Sequence, residues 1–291
     1  MTTETIRAEG PNAEQIEFWN GPMGARWTRS HERLERMTEP LGLAAVERAS
    51  PAPGEKILDV GTGCGGTSFV LAQRVAPNGS LTGVDVSSSM VQVCRQRADK
   101  LGLKSAQYVL ADAGTHAFEP GSADLVFSQF GVMFFKDPVA AFSNLRKALK
   151  PTGRLVFTAW RAMPENAWAA VPMGVAFKFL PPPPRPDPEA PGPFSFADPN
   201  RLRSILEKAG FRDIEMTAQN AMVTISEPGA DPVESGLSFH VECGPLGLML
   251  AQADAETRTK ILGALREVVA ASVKDGKAQS GGSAWLVTAK P

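Results

Sequence analysis

The 291-residue sequence is poor in the side chains that usually hold metal ions. It has three cysteines, Cys64, Cys94 and Cys243, which stand far apart without a Cys-x-x-Cys pair, and only three histidines. A structural zinc site needs four such side chains at short spacings, so we expect no metal site. A low and odd number of cysteines also fits a reducing compartment better than a disulfide-bonded secreted protein.

The chain also lacks an excess of charge of either sign and a long apolar run. Its 30 basic and 31 acidic residues give a net charge of −1, which argues against the broad positive surface of a nucleic-acid-binding protein. No apolar run is long enough for a membrane span, and the polar first residues contain no apolar signal segment. We therefore expect a cytoplasmic protein that does not bind nucleic acid.

What the sequence does contain is a regular alternation of apolar runs with segments of helical periodicity. This alternation predicts an α/β fold with a doubly wound, mostly parallel sheet and helices in the layers on both sides of it. The predicted strands are residues 56–60, 81–86, 107–110, 125–128, 154–159, 214–225 and 284–288.

Local signals divide the chain further. Asn12 and Gln15 resemble a capping box at the start of a helical N-terminal segment, which we call the leader. Four arginines of the leader recur at helical spacing among glutamates, which predicts a solvated helix face: Arg26, Arg29, Arg33 and Arg36. Prolines between 181 and 193 exclude a helix interior or a central strand and predict an extended surface insertion. The predicted parts are the leader as a helical lid (1–50), a cofactor-binding core (51–160), a Pro-rich insertion (161–197), and a C-terminal part of the core (198–291) with a helical insertion near 231–252.

A glycine-rich loop follows the first predicted strand and opens a helix. The glycines Gly61, Gly63 and Gly66, with Asp85 about 20 residues later, satisfy the fingerprint of a dinucleotide-binding loop. Asp59 argues against NAD, because a carboxylate that faces the ligand at the strand end would repel a pyrophosphate and would attract a ligand with ammonium and sulfonium groups.

Two more acids end the next two strands. Asp85 follows the second strand, where a carboxylate can accept hydrogen bonds from both hydroxyls of a ribose. Asp112 follows the third strand, where a carboxylate can accept from the exocyclic amine of adenine while the Ala113 N–H meets a ring nitrogen. Acids at three successive strand ends make a more specific pattern than the glycine loop alone.

These motifs resemble those of class I S-adenosylmethionine-dependent methyltransferases, in particular the menaquinone/ubiquinone and small-molecule methyltransferase branch. The resemblance spans roughly residues 56–160, including the fourth motif at 124–130, with a weaker echo at 284–288. It implies a three-layer sheet of seven strands with the last antiparallel, an N-terminal helical lid, and insertions after strand five. It also implies that S-adenosylmethionine binds, and S-adenosylhomocysteine leaves, at Trp27, Asp59, Gly61, Thr62, Gly63, Asp85, Val86, Met90, Asp112, Ala113, Ser128 and Gln129.

The resemblance does not name the methyl acceptor. Segments rich in Phe, Met and Trp are expected around the ends of strands four and five, which favours a small hydrophobic or aromatic acceptor methylated on an oxygen, nitrogen or carbon atom. A base is needed only if the acceptor must lose a proton, and the candidates for this role are His240, His31 and Glu165. Two alternatives stay open: an NAD-dependent oxidoreductase, and a non-catalytic S-adenosylmethionine-binding protein. The sequence allows a monomer or a homodimer.

Overall fold

The strands follow the apolar runs of the sequence closely. The computed structural model describes residues 4–184 and 187–291, and in these residues eight strands form the sheet. They are β1 (Lys56–Val60), β2 (Ser80–Asp85), β3 (Ala106–Leu110), β4 (Ala123–Gln129), β5 (Leu149–Trp160), β6 (Arg212–Thr224), β7 (Val273–Lys274) and β8 (Lys277–Lys290).

Helices connect the strands and build the leader. The leader is a run of three helices, broken at Gly21 and at Ser30. The helices are α1 (Ala13–Asn20), α2 (Pro22–Arg29), α3 (His31–Ala49), α4 (Gly66–Val75), α5 (Ser88–Lys100), α6 (Pro138–Ala148), α7 (Ala167–Ala176), α8 (Pro199–Lys208), α9 (Pro232–Glu242), α10 (Leu246–Gln252) and α11 (Ala255–Ala271).

The strand order confirms the predicted fold class. The sheet runs β3-β2-β1-β4-β5-β8-β6, and β1 to β5 pair in parallel. The last long strand, β8, is antiparallel to both β5 and β6. The two-residue β7, which was not predicted, only forms a hairpin with β8. An antiparallel strand inserted next to β5 distinguishes this sheet from the all-parallel order of a dinucleotide-binding fold.

Successive side chains of the strands belong alternately to two buried apolar clusters. On β4, Leu125 and Phe127 join one cluster with the C-terminal part of α3, α4 and α5, whereas Val126 joins the other with α6, α8, α9 and α11. Successive side chains of a strand point to opposite faces, so the helices cover both faces and form three layers. This packing leaves the carboxyl ends of β1 to β5 free to build a site.

Two local predictions were wrong. The stretch 161–197 is not extended throughout, because α7 forms within it and is largely buried despite Pro172. Asn12 makes no capping hydrogen bond to α1, so the predicted capping box is absent. The division of the chain at residues 50, 160 and 197 stays a prediction.

Candidate active site

A cavity of about 360 Å³ opens at the carboxyl ends of the parallel strands. It lies where the strand order reverses between β1 and β4, which is the usual place for a ligand in an open α/β sheet. Most of the predicted cofactor-binding residues are on its wall: Trp27, Gly61, Thr62, Gly63, Asp85, Val86, Met90, Asp112, Ala113 and Gln129.

The glycine loop gives the cavity a floor of exposed backbone. Gly61, Gly63 and Gly65 have φ angles of 70°, 56° and 104°, which favour glycine. A Cβ atom added to Gly63 would meet no atom within 4 Å, so the backbone at this point faces open space. A ligand can therefore approach the peptide groups of the loop directly.

Asp85 is held by the same loop. Its Oδ2 accepts from the Gly63 N–H at 2.9 Å, and its Oδ1 accepts from the Ser87 N–H at 2.8 Å. Burial raises the pKa of the Asp85 carboxyl, and the backbone N–H groups of Ser87, Gly63 and Val86 oppose that rise. A carboxylate has about four lone-pair positions, so the Gly63 and Ser87 bonds use one on each oxygen, and the two that remain are available to the Val86 N–H and to a ligand.

Asp59 lies behind the loop instead of facing the cavity. It is buried, and the Ser68 hydroxyl donates to its Oδ2 while the Thr62 and Ser68 hydroxyls are also hydrogen-bonded. Burial raises the pKa of Asp59 to about 6, although these hydroxyls lower it. The expected contact between Asp59 and the ligand stays a prediction, and the position of Asp59, buried against Ser68 and off the cavity wall, does not support it.

Two other predicted residues are neighbours at the end of β4, but only one of them lies on the cavity wall. Gln129 is on the wall, where its Oε1 accepts from Thr67 at 3.1 Å and its Nε2 donates to the Thr38 carbonyl at 3.1 Å. Ser128 is fully buried, and its hydroxyl accepts from the Gly131 N–H at 3.2 Å. The predicted ligand contact of Ser128 stays a prediction, and its position does not support it, because the hydroxyl is bonded within the turn after β4 and is off the cavity wall.

The structure brings one of the three candidate bases to the cavity. His31 is on the wall, with its Nδ1 3.7 Å from Glu35 Oε1. His240 is buried in α9 outside the cavity wall, and burial lowers its pKa to about 4. Glu165 forms an ion pair with Arg161 outside the wall as well. The suggestions of His240 and Glu165 as bases are therefore not supported by their positions.

Two arginines of the leader are not solvated as predicted. Arg26 donates to the carbonyls of Glu242 and Val241 at the end of α9. Arg33 donates to the Ser235 carbonyl at 2.9 Å and to Glu242 Oε2 at 3.1 Å. These contacts join the leader to the helical insertion near 231–252, which we call the second insertion. Both parts contribute residues to the cavity wall.

Aromatic side chains dominate the wall toward β4 and β5. Phe130 stacks on Trp160 with ring centroids 4.1 Å apart and ring planes 13° apart. Trp168 lies 5.1 Å from Trp160, and Trp19 contacts both Trp27 and Phe134 edge to face. Phe130 has a φ of 60°, which is unusual for a residue with a large side chain and places it at the turn after β4.

Some contacts made around the cavity were not predicted from the sequence. Arg97 donates to Glu35 Oε1 and to the Cys64 carbonyl of the glycine loop, both at 2.6 Å, and so joins α3 to the loop. Asn12 donates to Asp112 Oδ1 at 2.8 Å. Only the folded chain brings these partners together, because they are separated by 33 to 100 residues.

The described parts of the chain contain neither a cluster of metal-binding side chains nor a membrane-spanning helix. Among residues 4–184 and 187–291, no three His, Cys, Asp or Glu side chains are grouped so that they could hold a metal ion. In the same residues, no helix has the length and apolar character needed to cross a membrane.

Several known proteins with similar sequences are methyltransferases. Aklanonic acid methyltransferase DauC of Streptomyces sp. strain C5 is 34% identical over 119 residues, which is 41% of this chain and 54% of that protein. Nocamycin O-methyltransferase of Saccharothrix syringae is 32% identical over 137 residues, which is 47% of this chain and 49% of that protein. The chain thus spans about half the length of these curated relatives.

A solved structure shares the fold over most of the chain. The complex of Haemonchus contortus phosphoethanolamine N-methyltransferase 2 with phosphomonomethylethanolamine and S-adenosylhomocysteine has a TM-score of 0.53 and 21% identity, and the match covers 87% of this chain and 52% of that one. The family described as "Methyltransferase domain" matches residues 51–210, which is more than half of the sequence. The chain therefore belongs to this methyltransferase-domain family, as the motifs at its strand ends predicted.

Proposed function

We propose that this protein transfers a methyl group from S-adenosylmethionine to a small hydrophobic or aromatic acceptor. The observation that carries the proposal is the division of one cavity into two halves. Hydrogen-bonding groups of the glycine loop, Asp85 and Asp112 are at the ends of β1 to β3, and an aromatic wall is at the ends of β4 and β5.

The polar half fits the cofactor. Asp85 retains acceptor capacity for a ribose hydroxyl, and Asp112 with the Ala113 N–H offers an acceptor and a donor for the edge of adenine. Val86 and Met90 supply apolar contacts for the rings. Asp59 and Asp85 add negative charge near the loop, which suits a ligand that carries an ammonium and a sulfonium group.

The aromatic half fits the acceptor. The stacked rings of Phe130 and Trp160 offer a flat apolar surface, and an offset-stacked ring contributes about 0.5–1.5 kcal/mol beyond the burial of its area. Aromatic walls with few polar groups are typical of sites for apolar small molecules. The acceptors named for the relatives are not carried over, because the shared region covers only about half of those proteins.

The reaction needs alignment and the exclusion of water from the cavity. S-adenosylmethionine would supply an electrophilic methyl group on a sulfonium. The leader and the second insertion, joined through Arg33, cover the cavity and keep water from the acceptor. His31 can accept the proton of an acceptor that must be deprotonated, because its ring is on the wall and Glu35 lies beside it.

The alternatives are weaker. An NAD-dependent oxidoreductase would require a binding site for a pyrophosphate, whereas the antiparallel β8 and the acid Asp59 beneath the glycine loop are unlike such a site. A non-catalytic S-adenosylmethionine-binding protein differs from the proposal only in turnover. The small-molecule acceptor, the oligomeric state and the cytoplasmic location stay predictions.

Calorimetry separates these functions. We expect S-adenosylmethionine and S-adenosylhomocysteine to bind and NAD not to bind. Asp85→Ala should weaken both ligands at least about tenfold, because a hydrogen bond to a charged group contributes about 1.5–3 kcal/mol. Asp254→Ala, which removes the acid capping α11, is the matched control and should leave binding unchanged. NAD binding would contradict the proposal.

Turnover is tested with candidate acceptors. A metabolite extract incubated with the protein and S-adenosylmethionine should yield a product heavier by one methylene group, together with S-adenosylhomocysteine. Binding without any such product, across phenolic, amine and activated-carbon acceptors, would favour the non-catalytic alternative.

A further inference from the structure

Asn12 joins the leader to the adenine end of the cavity. Its side chain Nδ2 donates to Asp112 Oδ1 at 2.8 Å, and its Oδ1 accepts from the Lys136 N–H at 2.8 Å. The residue is 6% exposed and is on the cavity wall. It stands where a capping residue of α1 would stand, yet its side chain bonds two distant segments and not its own helix.

Gly114 gives this arrangement room, because a side chain there would crowd both Asp112 and Asn12. A Cβ atom at Gly114 would lie 3.2 Å from Asp112 Oδ1 and 3.3 Å from Asn12 Nδ2. The Gly114 N–H also donates to Asp112 Oδ1 at 2.9 Å, and Thr115 Oγ1 donates to Asp112 Oδ2 at 3.1 Å. The carboxylate is thus fixed by three donors.

These three donors determine what Asp112 can still accept. A carboxylate has about four lone-pair positions, two on each oxygen. Asn12 and Gly114 occupy both positions of Oδ1, and Thr115 occupies one of Oδ2. One position, on Oδ2, is left for a donor in the cavity.

We propose that Asn12 is a positioning residue that directs the remaining acceptor of Asp112 toward the 6-amino group of a purine, so that the leader helps to select adenine over a 6-oxo purine. This inference rests on the proposed function, in which Asp112 accepts from adenine. An amino group donates to the free lone pair, whereas the oxygen of a 6-oxo purine presents another acceptor to it and is repelled. If Asn12 is lost, Oδ1 regains a free position and the carboxylate can turn or take up water.

The test compares two ligands by calorimetry: S-adenosylhomocysteine, and S-inosylhomocysteine, which has an oxygen in place of the amine. The wild-type protein should prefer the adenine ligand at least about tenfold, as expected for a hydrogen bond to a charged group. Asn12→Leu should reduce this preference severalfold, chiefly by weakening the adenine ligand. A merely structural role would weaken both ligands equally and leave the preference unchanged.

Asn20→Leu is the matched control. Asn20 also joins the leader to the sheet, since its Nδ2 donates to the Val86 carbonyl at 2.8 Å and its Oδ1 accepts from the Ser88 N–H at 3.0 Å. It does not contact Asp112, so its loss should weaken both ligands by the same factor. A fall in preference as large as that of Asn12→Leu would overturn the inference.

If the leucine variant does not fold, Asn12→Asp takes its place in the test, because aspartate keeps the shape of the side chain. Two carboxylates at hydrogen-bond distance do not both ionise readily, and a proton carried on Asp112 Oδ2 donates to the 6-oxo group and no longer leaves Oδ2 to accept from the amine. The preference for adenine should then fall further or reverse. If wild type binds neither ligand, the proposed function fails; if wild type prefers adenine and the folded Asn12 variants keep that preference, only this inference fails.

Discussion

The backbones of Gly61 and Gly131 pack directly against each other. Gly61 lies in the loop after β1, and Gly131 lies in the turn after β4. A Cβ atom on Gly61 would lie 2.7 Å from Gly131 Cα, and one on Gly131 would lie 2.8 Å from Gly61 Cα and 2.6 Å from the Val60 carbonyl oxygen. Because both segments line the cavity, this contact sets the distance between its cofactor and acceptor halves.

Gly131→Ala should therefore disturb the site through one methyl group. The φ of Gly131 is −81°, which alanine adopts without strain, so the expected cost of about 1–3 kcal/mol arises from overpacking alone. We expect weaker S-adenosylmethionine binding and a lower melting temperature. Gly263→Ala in α11, where a Cβ would meet nothing within 4 Å, should be neutral or stabilising. If Gly131→Ala binds S-adenosylmethionine as tightly as the wild type, the close contact between the loop after β1 and the turn after β4 is not needed for cofactor binding.

Arg33 should hold the cover of the cavity closed. Its side chain is 13% exposed and contacts Glu227, Glu242 and the Ser235 carbonyl. Arg33→Leu removes hydrogen bonds to a charged group, each of which contributes about 1.5–3 kcal/mol. We expect faster proteolysis of the leader and the second insertion, and slower methyl transfer. S-adenosylhomocysteine should protect the wild type more than the variant.

Exposed Arg29 provides the comparison for that experiment. Arg29→Leu should leave both the proteolysis rate and the turnover near those of the wild type. If Arg33→Leu behaves in the same way as Arg29→Leu, the leader and the insertion do not depend on each other.

Asp59 should lower stability as the pH rises. Its pKa is raised to about 6 in the folded protein from an ordinary value of 3.8, so the native state binds more protons between these values. The stability contributed below pH 4 is lost as the pH rises through 6, and the loss amounts to about 3 kcal/mol. Asp59→Asn should be more stable than wild type above pH 7 in urea titrations, and should bind S-adenosylmethionine less tightly. An Asn variant that is less stable at pH 8 would contradict this reasoning.

His240 has the opposite dependence. Burial lowers its pKa to about 4, whereas the unfolded side chain has an ordinary value of 6.5. The unfolded state therefore takes up a proton first, and stability falls as the pH decreases from 6.5 to 4, by about 3 kcal/mol. His240→Leu should flatten this part of the stability curve without changing the pH profile of turnover. Loss of turnover at unchanged stability would instead return His240 to the list of candidate bases.

Local pattern accounts for most of the fold. The apolar runs and the turn residues predicted the positions of seven strands, because strand periodicity and turn residues act over short distances. The lengths were less accurate, since β5 begins at Leu149 and β8 at Lys277, ahead of the predicted starts at 154 and 284. The structure of the insertion after β5 was harder to predict from the sequence, because α7 is apolar on nearly all sides and is stabilised by burial against the rest of the fold. Its sequence therefore lacks the alternation of apolar and polar residues at helical spacing that predicts an amphipathic helix.

The sequence by itself determined the family and the acids Asp85 and Asp112, because the ends of successive parallel strands meet at one edge of the sheet whatever the details of packing. Only the tertiary structure decided what each side chain does there. It placed Asp59 behind the loop, moved His240 away from the cavity, and gave Asn12 to Asp112 instead of to its own helix. These outcomes depend on contacts between residues up to 100 positions apart, and no local pattern records which of several available partners a polar side chain finds once the chain has folded.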